Sequence, residues 1–265
     1  MFQENVKVLW NKKVGPAYYK IGLTCHPAYA TAVPGQFIML RLSEQTFPFL
    51  RRPFSIHNLI HADNNTTGIE ILYKVVGEGT KILSGCRKGA RLDILGPLGN
   101  GFSFKNSYQR VAMVAGGVGV APMSFLASFL GTKGVDPDLC KIYLGGRSMD
   151  DLLCREDFIR MGINTHITTD DGSAGDQCLV THPLEQAMQA RRADIIYACG
   201  PLEMLKCVIG IAEKYKVPCQ VSIETIMACG MGACLGCAVE TKDDPFRYKH
   251  ACVDGPVFDA ESLKI

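Results

Sequence analysis

Cys229, Cys234 and Cys237 stand in C-x4-C-x2-C order in the stretch MACGMGACLGC, and Cys252 follows after fourteen intervening residues. Four thiolates brought to one point can hold a metal centre, and this spacing is the one with which plant-type [2Fe–2S] clusters are ligated. Zinc also accepts four thiolates, but zinc ribbons usually pair two short Cys motifs, whereas the distal partner here is the single Cys252. Gly230, Gly232, Ala233 and Gly236 fill the gaps. Such small residues let a backbone curl tightly and bring N–H groups close to sulfur.

The rest of the composition narrows the setting. The chain has 265 residues, 47% of them hydrophobic, enough for one large domain or two modest ones. A formal net charge of +2 with no block of like charge argues against a nucleic-acid partner and against a polybasic membrane patch. The opening MFQENVKVLWNKKVG carries Glu4 and several lysines with no apolar run, unlike a secretory or transit leader, and no stretch reaches the roughly 18 apolar residues of a membrane span. A cytoplasmic location is expected, where the other eight of twelve cysteines serve mostly as small buried hydrophobes.

Three textures divide the chain. Residues 1–105 read as short strands, such as YYKIGLTC, GQFIMLRL, GIEILYKVV and RLDILGPLG, with ADNNTTG as a hairpin loop and one short helix in GEGTKILSGC. That pattern predicts an antiparallel barrel. Over 106–224, compact apolar strands (RVAMVAGG, CKIYLGGR, INTHITTDDG, ADIIYACGP, VPCQVSIE) alternate with helical stretches. The alternation predicts a doubly wound parallel sheet. In one helix, Leu202, Leu205, Val208, Ile209 and Ala212 recur at helical spacing as a buried face. Residues 225–265 hold the cysteine cluster and little regular pattern.

VAMVAGGVGVAP leaves a strand at Ala115 and enters a helix near Pro122. Glycines at 116, 117 and 119 allow a tight turn and close approach of a diphosphate to a helix N-terminus. The G-x-G-x-x-G pattern is incomplete, since Pro122 takes its third position. YACGP puts Cys199, Gly200 and Pro201 at a strand's carboxyl end, where open α/β sheets bind ligands. In the barrel, RRPFSI offers a guanidinium suited to phosphate beside an aromatic ring and a hydroxyl, and LYKVVGEGT offers Tyr73 for stacking, Lys74 for charge, and N–H groups at Gly79 and Thr80.

In this order, Arg-Pro-Phe-Ser, LYKVVGEGT, GPLGNGF, AGGVGVAP and ACGP resemble the ferredoxin reductase superfamily, flavoproteins that exchange electrons with a nicotinamide nucleotide. The resemblance implies that Arg52, Pro53, Phe54 and Ser55 line FAD, with Leu72, Tyr73, Lys74, Gly79 and Thr80 completing its site. Arg51 is expected as a solvated neighbour. Gly116, Gly117, Gly119, Gly200 and Pro201 would face NAD, with Cys199 near the hydride-transfer position as the candidate catalytic residue.

MACGMGACLGC followed by HACVDGPVFDAESL is similar to the electron transfer subunits of type B dihydroorotate dehydrogenases. That similarity implies Cys229, Cys234, Cys237 and Cys252 as ligands of a [2Fe–2S] cluster. It also implies a heterotetramer with an FMN-containing catalytic subunit that oxidises dihydroorotate, and a route through the cluster and FAD to NAD+ in pyrimidine (UMP) synthesis. The flavin subunit of a transhydrogenase or sulfide dehydrogenase is the alternative, disfavoured because those relatives tend to replace one cluster cysteine by aspartate. A non-enzymatic zinc-stabilised flavin protein is a third reading. The six histidines, including His57, His166 and His250, lie too far apart in sequence to suggest a substrate site, and Arg147 leaves NAD against NADP open.

Overall fold

The computed structural model describes residues 1–42, 48–63, 65–190, 193–242 and 248–265. Its first layer is an antiparallel sheet of β1 (Phe2–Lys13), β2 (Tyr18–Thr24), β3 (Phe37–Arg41), β4 (Arg52–Ser55), β5 (Asn58–Ala62), β6 (Asn65–Lys74) and β7 (Arg91–Leu98), in the order β4-β3-β7-β1-β2-β6-β5. Alternation drives it: Val6 and Val8 of β1, Ile21 and Leu23 of β2, and Ile69, Ile71 and Tyr73 of β6 all point into one buried core. The twelve-residue β1 has no counterpart in the sequence reading, because its second half, Leu-Trp-Asn-Lys-Lys, breaks the alternation. The short helix α1 (Glu78–Ser84) follows β6 as expected. The predicted hairpin loop joins β5 and β6, with its Asn64 outside the described residues.

The second layer is a six-stranded sheet. Its parallel strands are β8 (Val111–Gly116), β9 (Cys140–Gly146), β10 (Asn164–Thr169), β11 (Ile195–Cys199) and β12 (Cys219–Ser222), in the order β10-β9-β8-β11-β12. Helices α2 (Val120–Thr132), α3 (Arg155–Arg160), α4 (Thr181–Gln189) and α5 (Leu202–Tyr215) connect them. The strand order reverses at β8, so the turn after β8 lies at the crevice where such sheets bind nucleotides. Helix α2 is buried along most of its length, and Phe125 on it packs into the barrel core, so this helix joins the two layers. The buried face of α5 differs from the expected one at a single place: Leu202, the first helical residue, is exposed and Ile211 takes its share of the burial.

The C-terminal segment is more ordered than its sequence suggests. Its β13 (Ala238–Glu240) and β14 (Tyr248–His250) form a small hairpin, and β15 (Val257–Asp259) runs antiparallel against β12 as the sixth strand of the nucleotide sheet. The cysteine segment is thereby stapled to the second layer at both ends. None of the described helices is long and apolar enough to cross a membrane.

Candidate functional site

The hairpin of β13 and β14 pairs Ala238 with His250, which brings the residues just outside it, Cys237 and Cys252, to the same end. Their sulfurs lie 3.3 Å apart, both residues are buried, and the Ala251 N–H donates to the Cys237 carbonyl at 3.0 Å. The loop carrying Cys229 and Cys234 curls over them through left-handed backbone at Gly230 (φ +75°), Leu235 (φ +59°) and Gly232 (φ +81°). Backbone donors turn inward: Met231 N and Cys234 N each lie 3.4 Å from Cys229 Sγ, and Gly232 N lies 3.1 Å from Cys252 Sγ. Burial alone would raise the Cys229 thiol, yet these N–H donors outweigh it and bring the group down to about 6. Burial and the neighbouring Cys237 push the Cys252 thiol up to about 12. All four thiols are free. A set of four convergent sulfurs with N–H groups aimed at them fits an iron–sulfur cluster.

The barrel presses against this loop. A Cβ on Gly230 would stand 2.4 Å from Met39 Cγ, so the glycine allows the loop to lie directly on β3. Met39 is the cross-strand partner of Pro53 in β4, and Phe37 and Ile38 pair with Ser55 and Phe54. Cysteine loop and Arg-Pro-Phe-Ser strand are therefore separated by one strand of the barrel. From the other side, Asn100 in GPLGNGF holds the segment after Cys252: its Nδ2 donates to the carbonyls of Val253 (3.1 Å) and Asp254 (3.0 Å). Nothing in the sequence marks Asn100 for this role, because its partners lie more than 150 residues away. Losing both bonds in Asn100→Ala removes about 0.5–1.5 kcal/mol each. The expected outcome is several-fold faster loss of iron to a chelator with flavin content unchanged.

The expected flavin residues do gather, though not all in the expected way. Arg52, Pro53, Phe54 and Ser55 form β4 at the sheet edge, with Arg52 exposed and the other three partly so. Arg51 is not a solvated neighbour: its guanidinium donates to Asp93 Oδ2 at 2.6 Å and to the Asp93 carbonyl at 3.0 Å, which fastens the strand entry to β7. Tyr73 is 2% exposed, its ring stacks on Tyr19 and meets Phe54 edge-on, and its hydroxyl donates to Asn11 Oδ1 at 3.1 Å. Its ring thus backs Phe54 rather than offering a free stacking face. Tyr73→Phe should leave the flavin spectrum intact and lower stability by about 1 kcal/mol, measured by chemical denaturation.

What residues 72–74 can offer a ligand is backbone. Val75 N donates to Ala17 O, and Tyr73 and Ile71 pair with Tyr19 and Ile21, so odd-numbered residues face β2. Leu72 and Lys74 therefore turn their N–H and C=O groups to the opposite edge, beyond the Asn58–Glu70 pair where β5 stops. The Lys74 ammonium is already engaged, 3.3 Å from Asp151 Oδ1 in the second layer and over the Tyr18 ring, while the Tyr18 hydroxyl also binds Asp151. At α1 the Thr80 hydroxyl receives Val76 N and Gly77 N, closing the helix start. The first-turn N–H groups of Gly79 and Thr80 are left without an intrahelical partner.

At the nucleotide end, the turns after β8 and β11 pack on each other. A Cβ on Gly119 would sit 2.2 Å from the Cys199 carbonyl oxygen, one on Gly200 2.6 Å from Met204 Cε, and one on Gly116 2.8 Å from Pro201 Cδ. Gly117 differs: at φ +54° it faces open space. Gly116, Gly119, Gly200 and Pro201 thus shape the crevice, and Gly117 lines it. Cys199 is partly buried, and burial pushes its thiol up to about 12 against the smaller opposing effect of a hydrogen bond from Ser222. Thr225 Oγ1, between β12 and the cysteine loop, is a buried hydroxyl without a hydrogen-bond partner among the described residues, and its sequence context did not signal it.

Comparison with known proteins gives these features a family. Residues 224–264 match the iron–sulfur cluster binding domain of dihydroorotate dehydrogenase B, and residues 113–209 match the oxidoreductase NAD-binding domain. A relative from Caldanaerobacter subterraneus, named as the electron transfer subunit of dihydroorotate dehydrogenase B (NAD(+)), is 40% identical over 97% of this chain and 96% of its own. The chain belongs to this family of electron transfer subunits. A second member, from Desulforamulus reducens, is 38% identical over 96% of this chain and 95% of its own. Among solved structures, one of an electron-bifurcating NADH-dependent reduced ferredoxin-NADP oxidoreductase aligns with a TM-score of 0.83 at 31% identity, covering 98% of this chain and 89% of that one. The Neisseria gonorrhoeae ferredoxin NADP+ reductase with FAD and NADP shares the fold, with a TM-score of 0.67 at 15% identity over 80% of this chain and 91% of that one. The fold is therefore that of the ferredoxin reductases: an antiparallel barrel, a parallel nucleotide-binding sheet and a C-terminal iron–sulfur binding domain.

Proposed function

We propose that this chain is the electron transfer subunit of a cytoplasmic NAD-linked dihydroorotate dehydrogenase that serves pyrimidine synthesis, joined to an FMN-containing catalytic subunit as a heterotetramer with two copies of each. Bound FAD supplies the conversion between a hydride and single electrons, and a [2Fe–2S] cluster supplies single-electron exchange with the partner. The supporting observation is the seat of Gly230 on Met39, whose strand partner is Pro53. It brings the four-cysteine loop within one strand of the residues assigned to the flavin.

Each part of the chain has a task in this reading. Residues 1–105 bind FAD: Phe54, supported by Tyr73, faces the flavin, Ser55 and the backbone of Leu72 and Lys74 hold its polar edge, and Arg52 with the first turn of α1 neutralises the diphosphate. Residues 106–224 bind NAD along Gly117, with Cys199 excluding water where the two rings meet. Residues 225–265 hold the cluster through Cys229, Cys234, Cys237 and Cys252.

The likeness to the ferredoxin-NADP oxidoreductase favours a second reading, a flavin subunit of a ferredoxin-linked transhydrogenase. Co-expression with the catalytic subunit separates the two. A complex of equal numbers of both chains on gel filtration, with no ferredoxin reduction by the isolated chain, supports the first reading. Ferredoxin-dependent turnover without complex formation supports the second.

A further inference from the structure

Outside these sites, one cluster of metal-binding side chains among the described residues sits across the contact between barrel and nucleotide sheet. His57 follows β4, two residues beyond Ser55, and is 2% exposed. Cys154 precedes α3, and Asp157 lies in its first turn. One ligand atom from each of the three lies within 4.8 Å of the others.

The histidine is prepared for coordination. Its Nδ1 lies 3.2 Å from the carbonyl oxygen of Ala121 on α2. A carbonyl can only accept, so Nδ1 carries the proton and Nε2 presents its lone pair. This is how metal-bound imidazoles are commonly oriented, with the far nitrogen hydrogen-bonded to a backbone carbonyl. Nε2 lies 4.0 Å from the Cys154 sulfur, too far for a strong bond between them. Cys154 reaches that position from left-handed backbone (φ +60°), which a side-chain-bearing residue adopts at a cost of about 1–2 kcal/mol.

The pocket already attracts a cation. Lys20 Nζ lies 3.1 Å from Asp157 Oδ2, an ion pair between the ammonium and one side of the carboxylate. Arg160 takes the other side of the Asp157 carboxylate. Lys20 hangs on a flexible four-carbon stem and can swing out to solvent.

We propose that His57 Nε2, the Cys154 thiolate and an Asp157 carboxylate oxygen form an interdomain site for a zinc-class divalent cation. On binding, the Cys154 S–H bond breaks, its proton leaves to solvent, and a metal–sulfur bond forms while the Lys20 ammonium gives up Asp157. Water or Glu70 fills the fourth position. The ion ties β4 of the barrel to α3 of the nucleotide domain, next to Ser55 and so to the flavin strand. An imidazole, a thiolate and a carboxylate suit zinc by ligand type.

The test uses the full chain with FAD and cluster loaded, dialysed against Zn2+ and then against metal-free buffer. About one zinc per chain is expected, with an X-ray absorption spectrum at the zinc edge showing one sulfur at about 2.3 Å and nitrogen or oxygen neighbours at about 2.0–2.2 Å. His57→Gln and Cys154→Ser should each weaken zinc retention roughly 100-fold while iron content stays the same. Wild-type zinc uptake no greater than that of Cys154→Ser overturns the proposal. So does a shell of four sulfurs, which would mean that zinc has entered the cluster cysteines. The wild-type spectrum decides even where a variant fails to fold.

Discussion

Cys252→Ser should strip the cluster from the purified chain, abolish exchange with the catalytic subunit, and leave NADH-to-dye reduction through FAD within about a factor of two. Of the four proposed ligands, Cys252 is the most firmly built in: it is buried, its sulfur takes the Gly232 N–H, and Asn100 grips the two residues after it. A serine hydroxyl is a much weaker partner for iron than a thiolate and is not deprotonated at neutral pH. The loss should appear as an absence of acid-labile sulfide with normal flavin absorbance. Normal NAD+-linked dihydroorotate oxidation by the variant would show that the four-cysteine site is not on the route. Cys234, the exposed one of the four proposed ligands, should behave in the same way when replaced by serine.

Gly119→Ala should act at the opposite end. The new methyl would meet the carbonyl of Cys199 at 2.2 Å and the amide of Gly200 at 2.8 Å, both backbone atoms with no freedom to rotate away. Overpacking of this kind costs about 1–3 kcal/mol, and here it parts the two turns that form the nucleotide crevice. NADH-to-dye activity is expected to fall by roughly 10- to 100-fold, while iron, sulfide and flavin contents stay normal. Gly117→Ala acts differently: the protein offers its methyl no clash, so the left-handed backbone at φ +54° costs about 1–2 kcal/mol and the methyl projects into the crevice, where it should weaken NADH binding without parting the two turns. If Gly119→Ala retained full activity with NADH, the turns after β8 and β11 would not be the nucleotide site.

What the sequence makes legible here is what is local. The cysteine quartet can be read because ligand spacing is set by short covalent distances, and the alternation of strand and helix over 106–224 can be read because period reflects burial. The misreadings share a cause. Tyr73 looks like a stacking ring until Asn11, 62 residues earlier, claims its hydroxyl, and Arg51 looks solvated until Asp93 claims its guanidinium. β15 was hidden because three residues carry no period of their own and become a strand only against β12. The metal-ligand cluster of His57, Cys154 and Asp157 was equally invisible, since two of its members lie about a hundred residues from the third and meet only when the two layers close. Glycines told a mixed story: their positions marked the turns correctly, but Gly119 is glycine to admit another turn and Gly117 to leave the surface open.

The central claim is that this chain couples a dihydroorotate-oxidising partner to NAD+. The most direct measurement is NADH formed per orotate in a purified mixture of this chain, loaded with FAD and iron–sulfur cluster, and the catalytic subunit. Equal amounts of the two products, with no NADH when either chain is omitted, is the result expected. Orotate formation without NADH, in a preparation whose NADH-to-dye activity is intact, would contradict it.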